Sequence, residues 1–259
     1  MQDWFRALGQ KTFLFMEYLG NLVVLFGQTI FCAFLPPLNK RRLFEQAKRI
    51  GLESLPIVSI VAIFTGMVLA LQTAYMMKKL SSEIYIANIV ALSVVRELGP
   101  VLTALIVAGR VGAAITAEIG TMNVTEQVDA LQTLAANPVK YLVVPRFLGL
   151  LFMLPLLTLY SDLVGVFGGY TICVYKLGIS SSIYFNMTFG SLVMKDLFTG
   201  LIKSVFFGII IALVSCFAGL KTEGGAEGVG KATTGSVVTS FIFIIASDCI
   251  FTALFYFVS

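Results

Sequence analysis

The sequence predicts an all-α integral membrane protein with five transmembrane helices, an N-terminal interfacial elbow helix and a cytoplasmic amphipathic helix. Three observations predict it. Of 259 residues, 58% are apolar and 12% are charged, whereas soluble domains carry about a quarter of their residues charged. The mean hydropathy is +0.94. Apolar stretches recur along the chain at the roughly 20 residues needed to cross hydrocarbon.

Composition also excludes chemistry. The chain has no histidine, which removes the commonest general base and zinc ligand. Cys32, Cys173, Cys216 and Cys249 lie apart in apolar segments and read as small core residues, not disulfides or metal ligands. No catalytic or metal-binding constellation is expected. A net charge of +4 in such a chain fits orientation bias and gives no reason to expect nucleic acid.

Residues 1–49 form the N-terminal region and 50–259 the membrane domain. Trp4 and Phe5 suit a membrane interface. Residues 12–36 are apolar but carry Glu17, Asn21 and Gln28 and stop at Pro36-Pro37. Cations flank them on both sides: Arg6 and Lys11 before, then Lys40, Arg41, Arg42, Lys48 and Arg49. Lys and Arg prefer one side of a membrane, so the stretch reads as an elbow in the cytoplasmic leaflet, with an ordinary spanning helix as the alternative. Asp3 and the lack of a small-residue cleavage site argue against a removed signal peptide.

The first span covers 52–77, with bends expected at Pro56 and Gly66. The second, 84–117, is interrupted at Gly99-Pro100 and is longer than a bilayer requires. The third, 141–175, is expected to bend at Pro145 and Pro155. A polar segment with room for a short helix follows, then a fourth span at 197–220, a glycine-rich loop at 221–235 and a fifth span at 236–258.

Orientation follows from the cations. Grouping the N-terminal region with 118–146 and 221–235 gathers Arg6, Lys11, Lys40, Arg41, Arg42, Lys48, Arg49, Lys140, Arg146, Lys221 and Lys231. The other side holds Lys78, Lys79, Lys176 and Lys195, with Lys203 just inside the fourth span. The first group is therefore expected in the cytoplasm, with the N-terminus there and the C-terminus outside.

The most informative stretch is 93–145. Arg96 and Glu97 sit in an apolar run, where ionisable groups face a cavity or one another. Neighbours on a helix point about 100° apart, so each is expected to find a different partner. They read either as polar glue between helices or as a zwitterion-compatible patch at the mouth of an apolar cavity. Ala104, Ala108 and Gly112 form a small-residue row for close helix packing, and Arg110 can snorkel to head groups. The segment 118–140 is too polar to span. Asn123-Val124-Thr125-Glu126 fits a capping box, and Val124, Val128, Leu131 and Ala135 recur at helical spacing up to Asn137-Pro138. This predicts an amphipathic helix over 123–136, about 18–20 Å long. Its charges are acidic, whereas helices lying on bilayers are rich in Lys and Arg, so it suits a basic protein partner.

The run RELGPVLTALIVAGRVGAAITAEIGTMNVTEQVDAL, continuing to NPVKYLVVPR, resembles the signature of the MlaE (YrbE) family. GMVLALQ at 66–72, GVGKATTGSVV at 228–238 and ASDCIFTALF at 246–255 are similar too, so the resemblance spans about 50–258. Members are permease subunits of lipid-transporting ABC systems that work with MCE-domain proteins. The resemblance implies a multi-pass homodimer in the bacterial inner membrane, handling lipid, most simply phospholipid, in the maintenance of outer-membrane lipid asymmetry. It implies a cytoplasmic ABC ATPase subunit that binds the ATP, so this chain needs no cofactor, and a periplasmic MCE partner. The segment at 123–136 would be the coupling helix, with Glu118, Asn123, Glu126, Gln127, Asp129 and Leu131 serving the ATPase. Arg96 and Glu97 would line the lipid cavity near its outlet, together with Leu69, Gln72, Tyr75, Met76, Leu98, Lys78 and Lys79. Asp162 matches no acid of the family pattern.

Gly225–Ala232 reads GAEGVGKA, near the phosphate-loop pattern, but alanine replaces the magnesium-binding hydroxyl and no soluble strand precedes it. It is expected to be a cytoplasmic turn, and hydrolysis to belong to another subunit. Asp248, in the fifth span, suits an interhelical hydrogen bond better than proton coupling. A secondary transporter or channel for a hydrophobic solute would want ionisable residues along a path and often an internal repeat, which is not evident. A lipid enzyme would need a nucleophile, base or metal constellation.

Overall fold

The computed structural model describes residues 2–35, 40–80 and 82–258, with side chains from residue 10 onward except 11, 14, 15, 256 and 258. The expectations for Trp4, Phe5, Arg6, Lys11 and Pro36-Pro37 lie outside the described residues and side chains. Among the described residues every regular element is helical. In order they are α1 (Gln2–Phe34), α2 (Lys40–Gly51), α3 (Leu55–Lys79), α4 (Ile86–Ser93), α5 (Gly99–Val107), α6 (Ala113–Val124), α7 (Gln127–Thr133), α8 (Val144–Tyr175), α9 (Ser181–Ser191), α10 (Met194–Leu220) and α11 (Gly225–Val258). Wide π-turns at Val94–Leu98 and Ala108–Gly112 join α4, α5 and α6 into one long rod, and a third at Val139–Val143 leads into α8.

Among the described residues, six helical stretches are long and apolar enough to cross a membrane: Met16–Phe34, Lys40–Lys79, Glu83–Val124, Val139–Tyr175, Met194–Leu220 and Gly225–Phe255. The protein is a multi-pass membrane protein. The last five overlap the ranges 52–77, 84–117, 141–175, 197–220 and 236–258. The first coincides with the expected elbow.

The geometry of α1 is distinctive. Its buried residues Leu22, Leu25, Thr29 and Cys32 form one stripe, while Phe13, Met16, Val23, Val24, Phe31 and Phe34 stay exposed. Tyr18 packs edge-on against Phe217 (5.2 Å), Phe26 against Phe147 (6.1 Å), and the Asn137 amide reaches the Cys32 sulfur at 3.8 Å. Tyr18 and Cys32 lie ~21 Å apart along the helix. Their partners, however, all sit at one end of the bundle: the last turn of α10, the start of α8 and the loop before it.

Close backbone contact between α3 and α8 builds one side of the bundle. A Cβ on Gly66 would lie 1.9 Å from the Gly165 carbonyl oxygen, and one on Gly168 2.3 Å from that of Ile63. Only glycine permits that approach, which supplies dispersion contact where no hydrophobic force acts between helices in lipid. Gly66 is therefore a packing point. Pro56 sits in the first turn of α3, where its missing N–H is no loss. Neither is positioned as the bend the sequence suggested. Pro145 likewise opens α8, and only Pro155 is internal. The other side is a core of α5, α6, α8, α10 and α11 around Leu150, Leu154, Phe207, Ile211, Ile119 and Ile244, all fully buried.

Two further expectations are corrected. The capping box at Asn123–Glu126 does not form. The rod continues through Val124, and the Asn123 side chain turns to the α10–α11 connection, its Nδ2–H donating to the Thr222 carbonyl at 3.0 Å. The chain then turns through left-handed Glu126 (φ 58°), so the amphipathic helix is only α7, seven residues, closed by left-handed Ala135. Residues 225–235 are not a loop but the first turns of α11. Their glycines do not prevent this: an i,i+4 Glu227–Lys231 pair (2.7 Å) supports the helix, and Gly228 fits against the Glu223 carbonyl where a Cβ would clash. Gly225–Ala232 is thus helical and offers no phosphate-cradling loop.

Candidate functional site

The π-turn at Val94–Leu98 presents Arg96 and Glu97 toward α10 and α11. Such turns interrupt the regular ladder and are common at functional sites. In the first turn of α10, Asp196 accepts the Val193 N–H at 3.1 Å and the Arg96 Nε–H at 2.7 Å. Asp196 is buried, whereas about half of the Arg96 side chain remains accessible. Two turns further along α10, Lys203 is wholly buried. Its ammonium donates to Glu97 Oε2 at 2.6 Å and to Thr252 Oγ1 at 2.8 Å, and lies 2.9 Å from Asp248 Oδ1. An ammonium has three protons, and three oxygens surround this one. A buried lysine without such partners would be strongly unfavourable.

The cluster borders a cavity of about 460 Å³ lined by Arg96, Glu97, Lys195, Asp196, Thr199, Lys203, Thr252 and Phe255. Lys203 is enclosed inside the wall, hydrogen-bonded to Glu97 and Thr252 and ion-paired with Asp248. Arg96 and Glu97 keep part of their surface in the opening, so adjacent cationic and anionic groups face the same space. That arrangement complements a zwitterion and has no nucleophile–base pair.

The structure divides the other expected lipid contacts. Leu98 points into the seam with Val58, Ala62, Ser161 and Gly165. Leu69 packs partly buried near Ala70, Ile86 and Val90. Gln72, Tyr75, Met76, Lys78 and Lys79 lie exposed on α3, with the Lys79 ammonium 4.6 Å above the Tyr75 ring. None of these seven lines the ionic cavity. Asp162 is buried in α8 against Gly99, where a Cβ would sit 1.7 Å from its Oδ1.

The expected ATPase-facing residues also separate. Glu118 is bound by Arg49 of α2 and, at 3.0 Å, by Arg146 of α8. Both of its oxygens thus bind within the chain, and Glu118 locks three helices together instead of presenting a free carboxylate. Arg110 donates beside it to Ser54 Oγ at 2.8 Å and to Glu53 at 3.0 Å. Asn123 fastens the rod to the α10–α11 connection. Glu126, Gln127 and Asp129 are exposed, Val128 is buried and Leu131 is half-buried. Ala104, Ala108 and Gly112 are buried, and Gly112 abuts Ser215 and Ile211 of α10.

Asp196, Lys203 and Thr252 are the site residues that sequence reasoning missed. Lys203 and Asp248 are ionisable residues inside apolar runs on different spans, as Arg96 and Glu97 are. Pairing such residues across spans by charge would have found them.

The family model for the permease MlaE matches residues 43–254. The chain belongs to the MlaE permease family. Similar chains include a probable ABC transporter permease protein of Rickettsia felis, 45% identical over 250 residues and covering 96% of each chain. One from Synechocystis is 43% identical over 91% of this chain and 89% of its own. Another, from Porphyra purpurea, is 38% identical over 92% and 87%. An MlaE permease is a transport component and not an enzyme, and an ABC permease implies a separate ATPase partner.

Proposed function

We propose that this permease moves lipid, most simply a phospholipid, between the bacterial inner membrane and a periplasmic MCE-protein pathway. The observation that carries the reading is the cavity of Arg96 and Glu97 backed by the enclosed Lys203 cluster. Neighbouring opposite charges suit a zwitterionic head group, and the exposed apolar faces of α3 and α11 suit acyl chains. Two copies of the chain enclose that path, and α3, with Gln72, Tyr75 and Met76, faces it across the dimer axis. The α7 end is cytoplasmic, as the cation bias favours, and the C-terminus is periplasmic. The α1 helix lies along the cytoplasmic leaflet: over ~21 Å its packing partners never leave one end of the bundle.

Coupling runs through α7. ATP-driven closure of two ATPase subunits pushes on exposed Glu126, Gln127 and Asp129, and buried Val128 and half-buried Leu131 pass the load to the rod. Glu118 holds the rod to α2 and α8 so that the three move together. The experiment is paired. Arg96→Ala is expected to reduce co-purified phospholipid at least severalfold, and wild-type lipid content would overturn the cavity assignment. Glu126→Lys with Asp129→Lys is expected to abolish permease-stimulated ATPase activity in the reconstituted complex; unchanged stimulation would overturn the docking role of α7.

A further inference from the structure

A second cavity lies at the opposite end of the long rod from Arg96. About 380 Å³ in volume, it opens between the start of α2 and the start of α8, beside the residues that end α7. One wall is apolar, from Leu43, Val144 and Leu148; the other carries Arg42, Lys140 and Tyr141. Arg42 donates to the Tyr141 hydroxyl, and its guanidinium carbon lies 3.5 Å from the Tyr141 ring centroid. The ring thereby fixes the direction of the cation. Lys140 is fixed by its backbone, whose N–H is held with that of Val139 by the Asn137 side chain. Arg96 precedes the end of α6 by 28 residues, or roughly 40 Å of helix. This is a separate site from the ionic cavity.

We infer that this groove binds one anionic phospholipid as a resident ligand, distinct from cargo. Two positioned cations beside a tyrosine suit a phosphodiester, because a guanidinium offers paired N–H donors and an ammonium a point charge. The adjoining apolar wall fits the upper acyl chain, which a free phosphate lacks. Further cations on α2, Lys40 and Lys48, raise the local concentration of anionic lipid around the mouth. Ala135 and Ala136, which follow α7, also line the groove. An occupied site therefore braces the hinge on which α7 turns, and the permease responds to the anionic lipid content of its membrane.

Native mass spectrometry of the purified protein, titrated with phosphatidylglycerol or with phosphatidylethanolamine of the same chains, tests this. Wild type is expected to retain one phosphatidylglycerol per chain in preference to phosphatidylethanolamine. Each cation near a lipid surface is worth about fivefold in affinity, so Arg42→Gln with Lys140→Gln is expected to lose about thirtyfold. Arg96→Ala is expected to keep the preference, which separates this site from the cargo cavity whatever that variant does to cargo. Should the double variant unfold, Lys140→Gln alone, with about a fivefold loss, carries the test. An undiminished preference in the glutamine variants would overturn the proposal, as would its equal loss in Arg96→Ala. Displacement of the bound lipid by millimolar inorganic phosphate would also overturn it, by identifying a simple anion site.

Discussion

The protein carries ionic networks near both ends of its long rod, and they border openings of very different size, about 100 Å³ at the α7 end and about 460 Å³ at the other. At the α7 end, Glu118 is clamped by Arg49 and Arg146, tying α6 to α2 and α8, and Arg110 is held by Glu53 and Ser54, tying the second π-turn to the turn before α3. At the other end, Lys203 is sealed in the wall by Glu97, Asp248 and Thr252, yet Arg96 and Glu97 remain partly open to a cavity. A network beside a small opening chiefly holds helices. A network beside an opening of about 460 Å³ can hold something else.

Four variants break or sharpen this contrast. The largest effect is expected from Lys203→Met, which leaves Glu97 and Asp248 without their cation; stranding a buried charge costs about 3–5 kcal/mol. Yield and thermal midpoint in detergent should fall sharply. Adding Glu97→Gln and Asp248→Asn should recover most of the loss, since neutral partners no longer need the ammonium. Next is Glu118→Ala, which strands the buried Arg146 and is expected to cost about 2–4 kcal/mol, read as a lower midpoint. Lipid content per folded molecule should stay unchanged, because nothing at the far cavity moves. Third, Arg96→Ala should destabilise by about 1–3 kcal/mol while lowering bound lipid, because buried Asp196 loses its cation and keeps only its Val193 donor. A large stability loss with full lipid would reverse the assignment of the two ends. The smallest effect is expected from Glu227→Ala, which removes an exposed i,i+4 pair on α11 worth about 0.3–0.5 kcal/mol.

The all-helical membrane class was legible in the sequence because apolar length is a strong, local signal. The partners of Arg96 and Glu97 were less so. Geometry on a helix said they would not pair with each other, and they do not, but Asp196 and Lys203 lie 100 and 106 residues away. Residue 196 reads as loop because α10 begins within a polar segment. The α7 boundaries failed for a different reason: Asn123 has the composition of a cap, but its side chain turns to the distant Thr222 carbonyl and the rod continues through Val124. Glycines misled at 225–235, where intrinsic propensity argued for a loop and packing made a helix. Gly66 and Pro56 read as bends because the chain alone does not reveal that α8 approaches one and that the other starts a helix.

The π-turns in the rod carry a last consequence. Each closes its hydrogen bond one residue later than an α-turn, so each holds one surplus residue in the helical count. Converting Val94–Leu98 to ordinary α-helix would pass that surplus along the rod and rotate its side chains by about 100°. The result would swing Arg96 and Glu97 off α10 and α11 without unwinding anything. The second crossing thus holds a built-in phase slip. A single-residue deletion there should remove the surplus and leave a regular helix whose flanking segments keep their original phase, whereas straightening without deletion rotates them.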